Sequence, residues 1–189
     1  MDCIVYAVAT TDPVLAGRAR QQIAGLMHGY RKIVLNFGPA KTIAEICRDI
    51  RYHVAPGSMY RLKKLHIIAH GNGSLGYVDI GNGLRASQTR NFRDLRPCWF
   101  DPYRRMVTDP CIEMNVCSAA GFLMRPVMIG LAEDAGVRVK GCPALILQSR
   151  MFNPAAGWEN FDPPEDGAVS ENDFVETEDI YDPGFRAND

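Results

Sequence analysis

Two apolar runs of the sequence stop at residues with reactive side chains. Leu65-His66-Ile67-Ile68-Ala69 runs into His70-Gly71, and Ile112-Glu113-Met114-Asn115-Val116 runs into Cys117, which is followed by the small residues Ser118, Ala119, Ala120 and Gly121. A thiol attacks a carbonyl as its thiolate, and an imidazole within reach takes the proton or stabilises the anion. Small residues beside both groups let a substrate backbone come close. The N–H groups of Gly71 and Cys117 are candidate donors for an oxyanion hole. The pattern points to nucleophilic acyl chemistry with Cys117 as nucleophile and His70 as base and acid, and it calls for no cofactor.

A cysteine in an apolar strand is more often a packing residue than a nucleophile. What separates Cys117 from Cys3, Cys47, Cys98, Cys111 and Cys142 is its strand-end position and the matching His70-Gly71 motif. Cys111 starts its run, at the opposite end from the reactive edge, and reads as packing. His66 lies inside its strand and reads as a satisfied core residue, and His28 and His53 fall at helix ends. No CxxC pair occurs and the histidines do not cluster with the cysteines, so no metal site is expected.

The elements that must hold this pair alternate along the chain. Residues 3–10 read as a buried strand, and Asp12-Pro13 supplies an N-cap and a first-turn proline for a helix carrying Leu15, Ala19, Ile23, Leu26 and Met27, with Gly29 as its stop. Lys32–Phe37 is a second strand. Thr42 and Glu45 form a capping-box pattern ahead of Ile43, Ile46, Cys47 and Ile50 on one helical face. Lys64–Ala69 is a third strand, and the glycine-rich residues 71–83 read as a small hairpin. The arginine-rich residues 85–105 read as helix plus loop, Cys111–Val116 as a fourth strand, and Val127, Leu131 and Ala135 as a helix closed by Gly136. Ala144–Gln148 reads as a last strand. Near-continuous apolar strands between amphipathic helices predict an α/β fold, a mainly parallel central sheet with helices on both faces. Sites in such sheets form beyond the carboxyl ends of the strands, so His70 and Cys117 share a crevice if their strands are neighbours.

An apolar strand ending in His-Gly, then an apolar strand ending in Cys and small residues, resembles the caspase, gingipain, legumain and separase group of cysteine peptidases. Cys117 follows His70 by 47 residues, close to the roughly 50 of caspases. Gly73-Ser74-Leu75-Gly76 and the stretch Leu131–Val139 are similar to an uncharacterised caspase-like domain of large bacterial surface proteins. The resemblance covers residues 1–150 and implies a caspase-like α/β/α sandwich and cysteine endopeptidase activity on a protein or peptide substrate. It also implies that Asn115, two residues before Cys117, helps line the pocket for the substrate residue preceding the cut. Asp12 and Arg150, at the ends of the first and last core strands, could contribute there, Asp12 favouring a basic side chain and Arg150 an acidic one. The match departs from caspases around the nucleophile: Gln-Ala-Cys becomes Asn115-Val116-Cys117, and a glycine two residues on becomes Ala119.

Composition bounds the setting. The 189 residues are 47% hydrophobic and 23% charged, ordinary for one globular domain. The longest apolar run, Cys3–Ala9, falls far short of a membrane span, and no secretory leader is read at the start. Unpaired cysteines in apolar segments suit a reducing, cytoplasmic setting. The net charge of −1 hides a split: residues 157–189 hold 11 acidic residues and a single basic one, Arg186. A peptidase domain over 1–156 and an acidic tail over 157–189 are therefore expected. The tail reads either as a solvated, disordered segment or as a candidate gate that docks on the basic body, with Phe161, Phe174, Ile180, Tyr181 and Phe185 as apolar anchors, and an activator or regulatory partner is the other means of gating.

Two competing functions fit parts of the pattern. A serine esterase would use the His-Gly-Asn-Gly loop for its oxyanion, but no G-x-S-x-G nucleophile motif occurs. A catalytically inactive caspase-like module would bind an acidic partner through its basic body. Nucleic acid is disfavoured as that partner, because no recognition motif or aromatic interleaving accompanies the arginines.

Overall fold

The computed structural model describes residues 1–54, 58–100, 103, 105–117, 119–170 and 173. In chain order these form β1 (Asp2–Ala9), α1 (Pro13–Gly25), β2 (Arg31–Phe37), α2 (Ile43–Val54), β3 (Arg61–Ile68), the hairpin strands β4 (His70–Asn72) and β5 (Tyr77–Asp79), a 3₁₀ stretch over Ala86–Trp99, β6 (Cys111–Asn115), α3 (Arg125–Ala135), β7 (Arg138–Gly141) and β8 (Glu159–Phe161). The central sheet has the order β2-β1-β3-β6-β7-β8. Its first five strands are parallel, and β8 runs antiparallel to β7. The fold is α/β.

Alternation along the strands decides which layer each side chain joins. On β1, Val5, Ala7 and Ala9 enter the larger core with Ile46, Cys47 and Ile50 of α2, Leu131 of α3 and Trp99 of the 3₁₀ stretch. Ile4, Tyr6 and Val8 point the other way and pack with Leu15, Ala16, Ala19 and Ile23 of α1 and with Met151. Both faces of the sheet are thereby covered.

Local chemistry sets the helix ends. The Asp12 carboxylate accepts from the N–H groups of Val14 and Leu15 at 2.8 and 3.2 Å, and Pro13 starts α1. The expected stop at Gly29 comes early: α1 ends at Gly25, capped by the Leu26 N–H donating to the Ile23 carbonyl. Ahead of α2, the Thr42 N–H donates to Glu45 Oε2 at 2.8 Å and the Glu45 N–H to Thr42 Oγ1 at 3.2 Å, a reciprocal capping box. Gly136 closes α3 at φ 68°, where a side chain would strain the backbone.

Three expectations need correction. Ala144–Gln148 is not a strand. The fifth parallel strand is β7, and Pro143 follows soon after it, bringing no N–H to continue a ladder. Arg150 therefore ends a short 3₁₀ turn, Gln148–Arg150, rather than a core strand, and its side chain is exposed. The boundary expected at 156/157 falls inside the fold, since β8 beyond it is the sixth strand of the sheet.

The acidic segment also takes a definite course. Running antiparallel to β7, β8 heads away from the carboxyl edge where His70 and Cys117 lie. Glu159 pairs with Arg125 and Asp162 with Arg138, each at 2.6 Å. The Val169 N–H then donates to the Gly136 carbonyl at 2.8 Å, and Asp173 pairs with Arg96. The described residues of the segment therefore lead to the opposite end of the sheet and do not cross the crevice. The anchors Phe174, Ile180, Tyr181 and Phe185 lie outside the described residues, while Phe161 is buried.

Candidate functional site

The sheet order creates the crevice. From β1 the chain moves outward to β2, then returns across β1 to β3 and continues to β6 and β7. The carboxyl ends of β1 and β3 therefore flank the point where the strand order reverses, the usual place for a site in an open α/β sheet. Asp12 follows β1 and His70 follows β3, so both stand at that point.

Their side chains meet. His70 Nε2 lies 2.8 Å from Asp12 Oδ2, while the other carboxylate oxygen of Asp12 caps α1. The hydrogen bond from His70, followed by those from the Leu15 and Val14 N–H groups, holds the Asp12 carboxyl below its ordinary range. An ionised Asp12 accepts the Nε2 proton, which leaves Nδ1 as the basic nitrogen. Among the described residues no hydrogen bond joins the His70 ring to Cys117 Sγ.

β3 and β6 are parallel neighbours, with Ile68 opposite Asn115 in the ladder. The ladder ends there, and His70 and Cys117 each follow the end of their strand by two residues. Gly71 completes the approach: a β-carbon there would land on the Cys117 carbonyl oxygen and 2.7 Å from Val116 Cγ1. Only glycine lets the segment after His70 lie this close to the segment carrying the thiol.

Cys117 is the one partly exposed cysteine; Cys3, Cys47, Cys98, Cys111 and Cys142 are buried. Burial pushes the thiols of Cys3 and Cys98 up to about 12 and that of Cys111 to about 11, and raises that of Cys47 as well. Those four stay protonated and inert at neutral pH. The Ile146 N–H donates to Cys117 Sγ at 3.4 Å, and the Ile146 carbonyl lies 3.8 Å from the sulfur. The segment after β7 thus lies against the thiol. Residues 118–124 separate Cys117 from α3, so the backbone N–H that reaches the sulfur comes from Ile146 rather than from the first turn of that helix. Ser118 lies outside the described residues.

The expected pocket residues fare differently. Asn115 is 4% exposed, and both ends of its amide are engaged. Oδ1 lies 2.9 Å from His66 Nδ1, and Nδ2 donates to the Met151 carbonyl at 2.7 Å. It is an internal tie between β6 and the segment at 151, and it does not line a pocket. Asp12 has one carboxylate oxygen on His70 and the other on the helix cap. Arg150 is exposed on its 3₁₀ turn.

Behind Asn115 lies a buried polar group on the face that carries α1. His66 Nδ1 is 3.3 Å from Glu113 Oε2, and Glu113 Oε1 is 2.6 Å from Lys64 Nζ and 3.9 Å from Lys140 Nζ. The His66 ring stacks on Tyr6 at 4.8 Å between centroids. Burial pushes the His66 imidazole down to about 4, so it is neutral at physiological pH and serves as a structural acceptor or donor rather than a base.

Two contacts were missed at the level of sequence, which placed Asp12 at the substrate pocket and gave Ile146 no part. The pairing of Asp12 with His70 had a readable signal, since a carboxylate at the end of the first parallel strand stands where the strand order reverses. The part played by Ile146 is a backbone one and leaves no mark in residue type. Among the described residues, no group of three or more His, Cys, Asp or Glu side chains is placed to hold a metal ion, and no helix is long and apolar enough to cross a membrane. No protein-family model matches the chain, and no curated protein matches it.

Proposed function

We propose that this chain is a cysteine endopeptidase of the caspase-like group, with Cys117 as nucleophile, His70 as proton acceptor and donor, and Asp12 as the residue that orients His70. The observation that carries the proposal is the 2.8 Å contact of Asp12 with His70 at the strand-order reversal, one strand from the partly exposed thiol of Cys117.

In this scheme His70 Nδ1 takes the Cys117 proton, and the thiolate adds to the carbonyl carbon of the scissile peptide bond. Negative charge moves to the carbonyl oxygen, where the Gly71 and Cys117 N–H groups are the proposed donors. Collapse breaks the C–N bond, and the amine leaves with the proton held by His70. Water, deprotonated by His70, then hydrolyses the thioester and restores the thiol. Asp12 keeps its negative charge throughout and stabilises the imidazolium, as in other nucleophile–base–carboxylate sets.

The Ile146 contact bears on regulation. Its N–H donates to the sulfur, so this one contact breaks as the thiol attacks a substrate carbonyl, and a partner that loosens it would act as an activator. Six free cysteines suit a reducing compartment, which supports a cytoplasmic location. The alternative, an inactive module that binds an acidic partner through a basic body, has less support. Arg96, Arg125 and Arg138 already carry acidic residues of the chain's own C-terminal segment.

The test is the alkylation rate of each cysteine by iodoacetamide, followed by mass spectrometry across pH, in the native protein and in His70→Ala. Cys117 reacting fastest near neutral pH, and at least about tenfold slower without His70, is the expected result. A Cys117 rate indifferent to His70 would sink the proposal.

A further inference from the structure

The exposed leucines and phenylalanine of this protein are not scattered. Among the described residues they are Leu75, Phe122, Leu123, Leu145 and Leu147, while other exposed apolar side chains such as Met27, Tyr52 and Tyr103 lie elsewhere. All five lie on three loops at the carboxyl edge of the sheet: the β4–β5 turn, the residues after Cys117, and the segment after β7.

These loops pack together around the thiol. The Ile146 N–H reaches Cys117 Sγ at 3.4 Å, with Leu145 and Leu147 on either side of Ile146 in the chain. The Ala120 N–H donates to the Cys142 carbonyl at 3.0 Å, joining the second loop to the third. Gly76, at φ 62°, lies so close to the Leu123 carbonyl oxygen that a β-carbon would come within 2.7 Å of it, which joins the first loop to the second. Residues 71–76, 117–124 and 141–147 contain no Asp, Glu, Lys or Arg, in a chain that is 23% charged. Exposed loops are ordinarily polar, and a contiguous apolar patch on a protein surface commonly marks a binding site.

We propose that these five side chains form the substrate-binding collar, and that it takes an extended peptide segment with bulky apolar residues flanking the scissile bond. The inference rests on the peptidase chemistry assigned to Cys117, because a carbonyl carbon brought to Sγ lays the neighbouring substrate residues across these loops. The other selectors considered do not compete: Asn115 is buried and fully bonded, and Asp12 is committed to His70. Apolar substrate side chains on the collar would also shed water from the thiol, which strengthens each electrostatic contact there.

The experiment measures binding of fluorescein-labelled hexapeptides to the full-length Cys117→Ala protein by fluorescence anisotropy. One peptide is Gly-Leu-Phe-Leu-Leu-Gly, and two others carry Asp or Lys in place of the central pair. The apolar peptide is expected to bind at least about tenfold tighter than either charged one, and Phe122→Ser with Leu145→Ser is expected to erase that difference, since each buried Leu or Phe side chain contributes about tenfold or more. Both positions are exposed, so the fold tolerates the changes. Equal binding of all three peptides overturns the inference, as does preference unaffected by the substitutions. A dimer that turns monomeric on substitution, with no change in peptide binding, gives the collar to a second copy and also overturns it. The two proposals fail separately. A Cys117 indifferent to His70 alongside apolar binding removes the chemistry and keeps the collar, whereas a His70-dependent thiol without apolar preference does the reverse.

Discussion

Asp12 Oδ2 and His70 Nε2, 58 residues apart in the chain, stand 2.8 Å from each other and tie the end of β1 to the end of β3. One carboxylate thus performs two tasks, capping α1 with one oxygen and fixing the imidazole with the other. Asp12→Asn separates them, because an amide oxygen still caps a helix but the charge is gone. The expected outcome is near-normal thermal unfolding with Cys117 alkylation and peptide cleavage lowered about 10²-fold or more. Asp12→Ala is expected to lose the cap as well and to unfold at a lower temperature. Equal rates in Asp12→Asn and the unaltered protein would remove Asp12 from the mechanism.

Gly71 meets the Cys117 peptide and Val116 so closely that an added methyl has no room. Neither neighbour is the free end of a flexible chain at the carbonyl side, so the hairpin must shift. Gly71→Ala is expected to lower stability by about 1–3 kcal/mol in urea unfolding and to separate His70 from Cys117. A variant of unchanged stability that reacts normally at Cys117 would show the approach to be looser than the geometry requires.

Asn115 discriminates between a pocket residue and an internal tie. Its removal leaves the Met151 carbonyl and His66 Nδ1 without their partner. Asn115→Ala is expected to cost about 2–4 kcal/mol, since each buried group left unpaired costs about 1–3 kcal/mol. A pocket residue would instead alter the residue preferred at the cut while leaving the denaturation midpoint in place.

Much of this arrangement was legible because it is written in local chemistry. The Asp12-Pro13 start of α1, the Thr42–Glu45 box of α2 and the Gly136 stop of α3 each depend on residues within a turn of one another. The neighbourhood of the two strand ends was legible because His70 and Cys117 each follow an apolar strand of a parallel sheet. What escaped depends on contacts distant in sequence or on the backbone alone. The exposed apolar run Ala144–Leu147 imitates a strand, whereas β7 is only four residues long and half of it is occupied by Arg138 and Lys140. Asn115 stands two residues before Cys117, but its side chain is buried and bonded to the Met151 carbonyl. The Ile146 N–H on the sulfur has no counterpart in any side chain.

His66 supplies a pH dependence with a definite sign. Burial lowers its folded pKa from 6.5 to about 4, so between those values the unfolded chain binds a proton that the native protein excludes. Stability is full above pH 6.5 and declines as pH falls toward 4, by on the order of 3 kcal/mol. Urea unfolding between pH 7.5 and 4 is expected to show this slope, and His66→Gln, which puts a neutral amide in place of the imidazole, is expected to flatten it. An equal slope in both proteins would assign the dependence to other groups.

The C-terminal acidic segment gives the last prediction, and it turns on where a truncation falls. Removing everything after Trp158 strips β8 from the sheet, uncovers the edge of β7 and leaves Arg96, Arg125 and Arg138 without Asp173, Glu159 and Asp162. The exposed Arg125–Glu159 and Arg138–Asp162 pairs contribute little. The larger loss is Phe161, 7% exposed in the fold, whose burial is worth about 2 kcal/mol. The truncated chain is therefore expected to unfold at lower urea and to associate through its bared edge, and slower peptide cleavage there would reflect damage to the sheet. Ending the chain after Asp173 keeps all of these contacts. Gating by the remaining acidic residues predicts faster cleavage in that shorter truncation with an unchanged unfolding midpoint. Because β8 carries the described segment away from Cys117, cleavage is instead expected to stay within about twofold of the full-length rate, a change of well under 1 kcal/mol in barrier.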